Sequence, residues 1–321
     1  MTARLTRQAA LAAGVAAFAA GTTASAQTAA PDLLVLRLAS SPADDTMPVI
    51  YAQQSGAFRR AGLDVALTRA TSGSAVAAAV AGSSIDIGKS SIVSIVTAHA
   101  KGLPFVWIAP ASVYNPAAPD GGLIVATNSP IKTGRDLNGK IVATPALGDL
   151  NTIATRAWVD QNGGDSKLIQ FVEVPVAAQA AALDEGRIAA GGIINPFLGE
   201  ALASGKARFL APFYSAIAAK FMLSGWFTTA DFAAQHRDAI ANFQRIVEVN
   251  STYTNAHHAE TVPLLASWSG ITLDAAARAP RMTNGTRIAA ADIQPVIDLL
   301  ARYGVIAKAF DAHEMMVEPP R

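Results

Sequence analysis

The 321-residue chain has no cysteine. Disulfides, thiolate metal sites and thiol nucleophiles are therefore excluded, and so is a lipid anchor built on an N-terminal cysteine. Charge is scarce as well. Charged residues make up 15% against 51% hydrophobic, the opposite of the balance that keeps chains disordered. The formal net charge is +1 with no basic run, which leaves no footprint for a phosphate backbone and excludes nucleic acid as a partner. Of the five histidines, none falls in a loop that follows a strand. His257, His258 and Glu260 lack the H-E-x-x-H spacing of a helical metal site. GSSIDIG does not satisfy the G-x-S-x-G nucleophile elbow. No catalytic residue, metal site or cofactor is expected.

What is present begins with a processing signal. MTARLTRQ carries Arg4 and Arg7, AALAAGVAAFAAG is a short apolar core, and Ala24-Ser25-Ala26 is a small-x-small cleavage site. Residues 1–26 read as a signal peptide cut after Ala26. Its removal takes two arginines and no acid, turning +1 into −1. The arginines are not paired, so the ordinary secretory route is expected. No later apolar run is long enough to cross a bilayer. Export without an anchor places the mature chain in the periplasm of a double-membraned bacterium.

The remainder is too long for one small core and alternates strand with helix in the manner of a parallel sheet. Leu33–Ala39 reads as a buried strand that ends in the polar loop SSPADDT, and LDVALTRA as a second strand. Between Thr71 and Ser91 lies TSGSAVAAAVAGSSIDIGKSS, an alanine-valine helix with a hydroxyl collar at each end. IDIG is read there as a short strand and Lys89-Ser90-Ser91 as the loop after it. AAQAAALDEGRIAAGGIINPF repeats that plan about a hundred residues later. SGWFTTADF reads as a return strand, and from residue 230 the pattern is mainly helical.

The ordered set YAQQSGAFRRAGLDV, TSGSAVAAAVAGSSIDIG, AHAKGLPF, NSPIKTGRDLNGKIVATP, AALDEGRIAAGGIINPF and DIQPVIDLLARYGVI resembles the periplasmic substrate-binding proteins of ABC importers. Within them it is similar to the branch serving nitrate, aliphatic sulfonates, taurine and thiamine-precursor pyrimidines. The resemblance spans about residues 32–306. It implies a type II periplasmic binding protein fold of class α/β: two lobes, each a mostly parallel sheet flanked by helices, with a ligand cleft between them. Residues 27–122 and 228–321 would form the first lobe and residues 123–227 the second. The implied function is capture of a small organic anion, of sulfonate or carboxylate type, and its delivery by a monomer to an inner-membrane ABC permease. A periplasmic sensor that presents its closed form to a receptor would carry the same sequence. Fungal relatives that make a thiamine pyrimidine use a cysteine-rich motif, which this chain lacks.

In that fold, ligands lie beyond the carboxyl ends of the strands. Ser72 and Ser74 would offer hydroxyls at the start of the alanine helix, Ser74 doubling as its cap, and Gly73 would let the backbone approach an anion. Lys89 would neutralise the anion, beside Ser90 and Ser91. Ser40, Ser41 and Thr46 stand after the first strand, where Asp44 and Asp45 suit an anion poorly unless both face solvent. Thr144 and Asn151 from the second lobe would face them, Asn151 as a helix cap or a ligand contact. Asn195 and Phe197 follow the last parallel strand. Relatives often carry an acid where Asn195 stands, so its absence weighs against a simple amine. Tyr114 and Trp226 would form cleft walls, while Trp107 packs in the core. Mass spectrometry of the exported protein is expected to give a chain beginning at Gln27; an intact N-terminus or a membrane-bound form would overturn the export reading.

Overall fold

A computed structural model describes residues 33–195 and 197–317, so the signal peptide and its cleavage site lie outside the described residues. The strands are β1 (Leu34–Ser40), β2 (Leu63–Arg69), β3 (Ile87–Ser91), β4 (Phe105–Val113), β5 (Gly121–Ala126), β6 (Ile141–Thr144), β7 (Gln170–Glu173), β8 (Ala190–Ile194), β9 (Ala207–Ala211) and β10 (Met222–Thr229). The helices of the first part are α1 (Met47–Gln54), α2 (Ala57–Arg60), α3 (Gly73–Ala81) and α4 (Ile92–Ala100). The middle carries α5 (Leu150–Gln161), α6 (Val176–Asp184) and α7 (Phe197–Ala203). The last part carries α8 (Ala230–Gln235), α9 (Arg237–Ala256), α10 (His258–Ser269), α11 (Leu273–Arg278) and α12 (Gln294–Arg302). Among the described residues no helix is long and apolar enough to cross a membrane.

Two five-stranded sheets share one plan. The first runs β2-β1-β3-β10-β4 and the second β7-β6-β8-β5-β9. In each, the first three strands are parallel, and the fourth runs antiparallel to both its neighbours. The α3–β3 and α6–β8 segments hold equivalent places, as the repeated sequence plan predicts. The return strand is β10. The edge strand β9 has no counterpart in the sequence reading: ARFLA is short, and only its two alanines are fully buried.

The sequence pattern explains the layers. In β1, Leu36 and Leu38 are buried toward α1 and α9, in a cluster with Val65, Ile87, Trp226 and Phe243. The opposite face packs against α3, α4 and α12 through Val76, Val96, Phe105, Trp107, Phe227 and Leu300. That second cluster continues without a break into Leu123, Val142, Ile153 and Phe213 of the second sheet. Helix α12 packs against both α4 and α5. Tyr303, just beyond α12, donates a hydrogen bond of 2.9 Å to Asp160 of α5. The alanines of α3 are less buried than their oiliness suggests; only Val76 and Val80 are fully enclosed. Val76 meets the sheet at Gly88, where an added Cβ would lie 2.5 Å from Val76 and 2.8 Å from Phe227. Gly88→Ala is expected to lower stability by about 1–3 kcal/mol through overpacking, read from the urea midpoint. An unchanged midpoint would mean that α3 does not close on β3 in this way.

Candidate functional site

The carboxyl ends of β1, β2 and β3 lead into the starts of the 3-10 turn Asp44–Thr46, of α3 and of α4. Ser72, not Ser74, caps α3: its hydroxyl accepts from the Ala75 N–H and lies 3.0 Å from the Ser74 hydroxyl. Ser91 caps α4 by accepting from the Ser94 N–H. The two collars of the TSGS…KSS segment meet, because a Cβ on Gly73 would lie 2.3 Å from the Ser90 hydroxyl. Gly73 is thus required for contact with β3. The Ser90 hydroxyl is enclosed and has no hydrogen-bond partner among the described residues. Ser72, Ser74 and Ser91 are exposed at this rim, and Ser41 is partly so. Two helix starts with unpaired first-turn amides favour negative charge here.

Lys89 stands inside β3, not in a loop after it, and is 3% exposed. Its ammonium is paired with the buried Asp45 carboxylate. The other Asp45 oxygen accepts from the hydroxyls of Ser112 (3.3 Å) and Ser224. Asp44 is neutralised too, by Arg281 Nε at 2.9 Å and by the Met282 N–H at 2.8 Å. Neither acid faces solvent as an anion site was expected to require. Each is cancelled by a cation or a donor, and Lys89 is committed to the protein.

The second sheet contributes a different rim. Asp149 caps α5, accepting from the Thr152 N–H at 2.8 Å and from the hydroxyls of Thr152 and Thr144. Burial pushes the Asp149 carboxyl up, and those hydrogen bonds oppose the shift. Asn151 lies inside α5 and accepts from the Tyr214 hydroxyl at 2.5 Å. The Tyr214 and Tyr114 rings meet edge to face, 5.9 Å apart. Tyr114 also ties the two chain crossings together, donating its N–H to the Phe221 carbonyl at 2.9 Å. The Asn195 N–H donates to the Asp120 carbonyl at 2.9 Å, which sets Asp120 at the end of β8. Burial first, and the Asp45 charge in addition, push the Asp120 carboxyl up to about 6. Burial and the same Asp120 raise both Tyr114 and Tyr214.

The expected site residues divide accordingly. Ser41, Ser72, Gly73, Ser74 and Ser91 stand at the first rim, and Tyr114, Asn151 and Asn195 gather around Asp120 and Tyr214. Several others are placed elsewhere. Ser40 and Thr46 are buried and hydrogen-bonded to each other at 3.0 Å. Thr144 is buried within its own turn, against Thr152 at 2.7 Å. Phe197 packs into the cluster behind the second sheet with Leu198 and Ile193. Trp226 is 1% exposed and packs edge to face on Phe243 of α9, on the sheet face that carries α1. It is core rather than cleft wall. The residues that sequence reasoning missed are Asp120, Asp149, Ser112, Tyr214 and Ser224. An acid just before GGLIVA reads as an ordinary turn residue, and nothing in the sequence pairs it with Asn195.

A cavity of about 670 Å³ lies at the opposite end of the second sheet, lined by Thr127, Lys140, Gly186 and Lys206. It sits at the amino ends of the parallel strands, away from the helix starts, and its Lys206 is paired with Asp184. Among the described residues no cluster of histidine and acidic side chains is arranged to hold a metal.

The family described as NMT1/THI5 like matches residues 43–261. No curated protein matches the chain significantly. The periplasmic aliphatic sulphonate binding protein SsuA of Escherichia coli is 22% identical, with a TM-score of 0.73 over 89% of this chain and 93% of its own. The alkanesulfonate-binding protein SsuA of Xanthomonas axonopodis pv. citri, bound to MOPS, is 18% identical with a TM-score of 0.66, over 90% and 99%. The periplasmic nitrate-binding protein NrtA of Synechocystis PCC 6803 is 16% identical with a TM-score of 0.59, over 77% and 69%. These likenesses establish the periplasmic binding protein fold.

The buried pair yields a test of its own. Lys89→Met or Asp45→Asn alone is expected to cost about 3–5 kcal/mol by leaving a polar group without its partner. Lys89→Met combined with Asp45→Leu should recover most of that loss in chemical denaturation. A Lys89→Met protein that keeps its stability would instead return Lys89 to the ligand site.

Proposed function

Since the chain belongs to the NMT1/THI5-like family, we propose that it is a periplasmic solute-binding protein that captures a small organic anion in the cleft between its two sheets and hands it to an ABC permease. Binding would shift an open–closed equilibrium, with the connections between β4 and β5 and between β9 and β10 as the hinge. No bond is made or broken.

The observation that carries this reading is the meeting of the two hydroxyl collars. Gly73 against Ser90 brings the starts of α3 and α4 to one place, so their first-turn amides and the exposed Ser72, Ser74 and Ser91 hydroxyls converge. A sulfonate or carboxylate there would accept from several donors at once. The neighbours named for sulfonate and nitrate binding share the fold and support an anion.

A thermal-shift screen over alkanesulfonates and carboxylates is expected to find a stabilising anion. A binder at a hundred times its Kd adds about 2.7 kcal/mol. Ser74 does not cap α3, so Ser74→Ala should leave melting nearly unchanged while affinity falls about ten- to a hundredfold. Ser72→Ala should cost about 1 kcal/mol of stability as well, because it removes the cap. Unchanged affinity in both variants would place the anion elsewhere.

A further inference from the structure

We propose that Tyr303 and Asp160 latch the two sheets at the separation seen here, so that the end of α12 sets the resting balance between open and closed forms. The inference rests on the hinge reading above and adds to it a control point outside the candidate site.

Helix α12 belongs to the first sheet by its attachments. Gln294 at its start donates to the Phe310 carbonyl at 3.0 Å and accepts from the Ala312 N–H at 2.8 Å. Phe310 packs on His99 of α4 with ring centroids 5.0 Å apart. Ala312 and Met315 are fully buried, and Met316 forms a parallel bridge with Trp107 of β4. The far end of α12 meets α5 instead. There Tyr303 donates to Asp160 at 2.9 Å, and Arg302 approaches the same carboxylate oxygen at 3.6 Å. Arg156 of α5 lies over the Phe171 ring of β7 at 4.7 Å and over the Tyr303 ring at 5.9 Å. One tyrosine thus meets α5 and, through Arg156, an edge strand of the second sheet.

The strength of this contact lies in the hydroxyl. Arg302 is 59% exposed at a long distance, and an exposed pair of that kind contributes little. The Asp160 side chain is 20% exposed, so the Tyr303 hydrogen bond to its carboxylate is partly sheltered and worth more. Burial first, and the Asp160 hydrogen bond next, raise the Tyr303 hydroxyl above its ordinary range, so it remains a donor. Asp160 is itself held in place, because its other oxygen accepts from the Ser166 N–H at 2.8 Å. It stands about 14 Å along α5 from Asn151, at the end away from the rim. Both helices are also tied to the β9–β10 crossing. Asp292, just before α12, pairs with Lys220 at 2.9 Å, and Gln161, at the end of α5, donates to the Ala216 carbonyl at 2.8 Å. A rotation of one sheet against the other about that crossing slides α12 over α5. Packed apolar side chains accommodate a small slide, whereas the Tyr303–Asp160 bond has one geometry and breaks. The sheets therefore rest where that bond is made.

The lack of native cysteine lets the separation be read directly. Spin labels at Leu147→Cys, between β6 and α5, and Leu273→Cys, at the start of α11, occupy two exposed positions. Pulsed electron resonance then measures the distance between them without any ligand. One dominant distance is expected in the otherwise wild-type protein. Tyr303→Phe keeps the ring on Arg156 and removes only the hydroxyl, and the share of a second distance is expected to rise about tenfold. Tyr253→Phe is the control. Its hydroxyl bonds Glu260 at 2.6 Å between α9 and α10, so its loss should leave the distances unchanged. Unchanged distances in Tyr303→Phe, even with a lowered melting temperature, would overturn the latch, and so would an equal change in Tyr253→Phe. If the latch fails while an alkanesulfonate or carboxylate still binds, the proposed function stands without it. If Tyr303→Phe responds as expected and no anion binds, the latch stands and the anion reading fails.

Discussion

The end of the first sheet is held by one buried ion pair. Lys89 and Asp45 bring together the centre of β3 and the turn that precedes α1. Through Asp45, the hydroxyls of Ser112 and Ser224 add β4 and β10 to the same knot. Two charges in a nearly dry place are tolerable only when each has its partner and the spare lone pairs are filled, and here both conditions hold. The pair does little for net stability compared with an apolar substitute. What it secures is position. The first strand's loop cannot shift without baring a charge, so the starts of α3 and α4 stand against a fixed rim. Arg281 repeats the device on Asp44, at 11% side-chain exposure.

The two sheets are equal in plan but not independent in packing. Each receives its antiparallel strand where the chain crosses over, β5 in one direction and β10 in the other. The Tyr114 N–H bonded to the Phe221 carbonyl ties those crossings side by side. Helix α12 then leans on α4 and α5 together, within a cluster continuous from Leu300 to Ile153. Any bending at the crossings would work against the α12 contacts and the Tyr303–Asp160 hydrogen bond.

The architecture was legible in the sequence because it depends on patterns that sequence carries. Alternation in LDVALTR, the apolar run of FVWIAPASV and the glycine-punctuated helix ends each follow from burial and turn chemistry, and they recur in order through both sheets. Of the candidate site, only the exposed hydroxyls stand where the sequence reading put them. Lys89-Ser90-Ser91 reads as a loop because polarity normally ends a strand, yet the three residues complete β3. The burial of Lys89 depends on Asp45, 44 positions away, and Asp45 in turn on Ser224, 179 positions from it. No local rule anticipates such a partner. Trp226 shows the reverse failure. Its place near a crossing suggested a cleft wall, but the side-chain period of two in β10 turns it to α9, while Phe227 beside it faces α3.

The two rims facing the cleft differ in chemistry, and the difference follows from how each meets its own polar obligations. On the first sheet's rim Asp44 and Asp45 are both cancelled by a cation, so what reaches the surface there is hydroxyl and amide. On the second sheet Asp149 is consumed by the α5 cap, but Asp120 is left over, half-enclosed and unpaired. Folding alone gives no reason to keep a carboxyl whose burial raises it to about 6. Residues that a fold tolerates at a cost tend to be repaid where function is exercised. The two rims are therefore chemically distinct: Asp44 and Asp45 on the first are each paired with a cation, whereas Asp120 on the second has no such partner among the described residues.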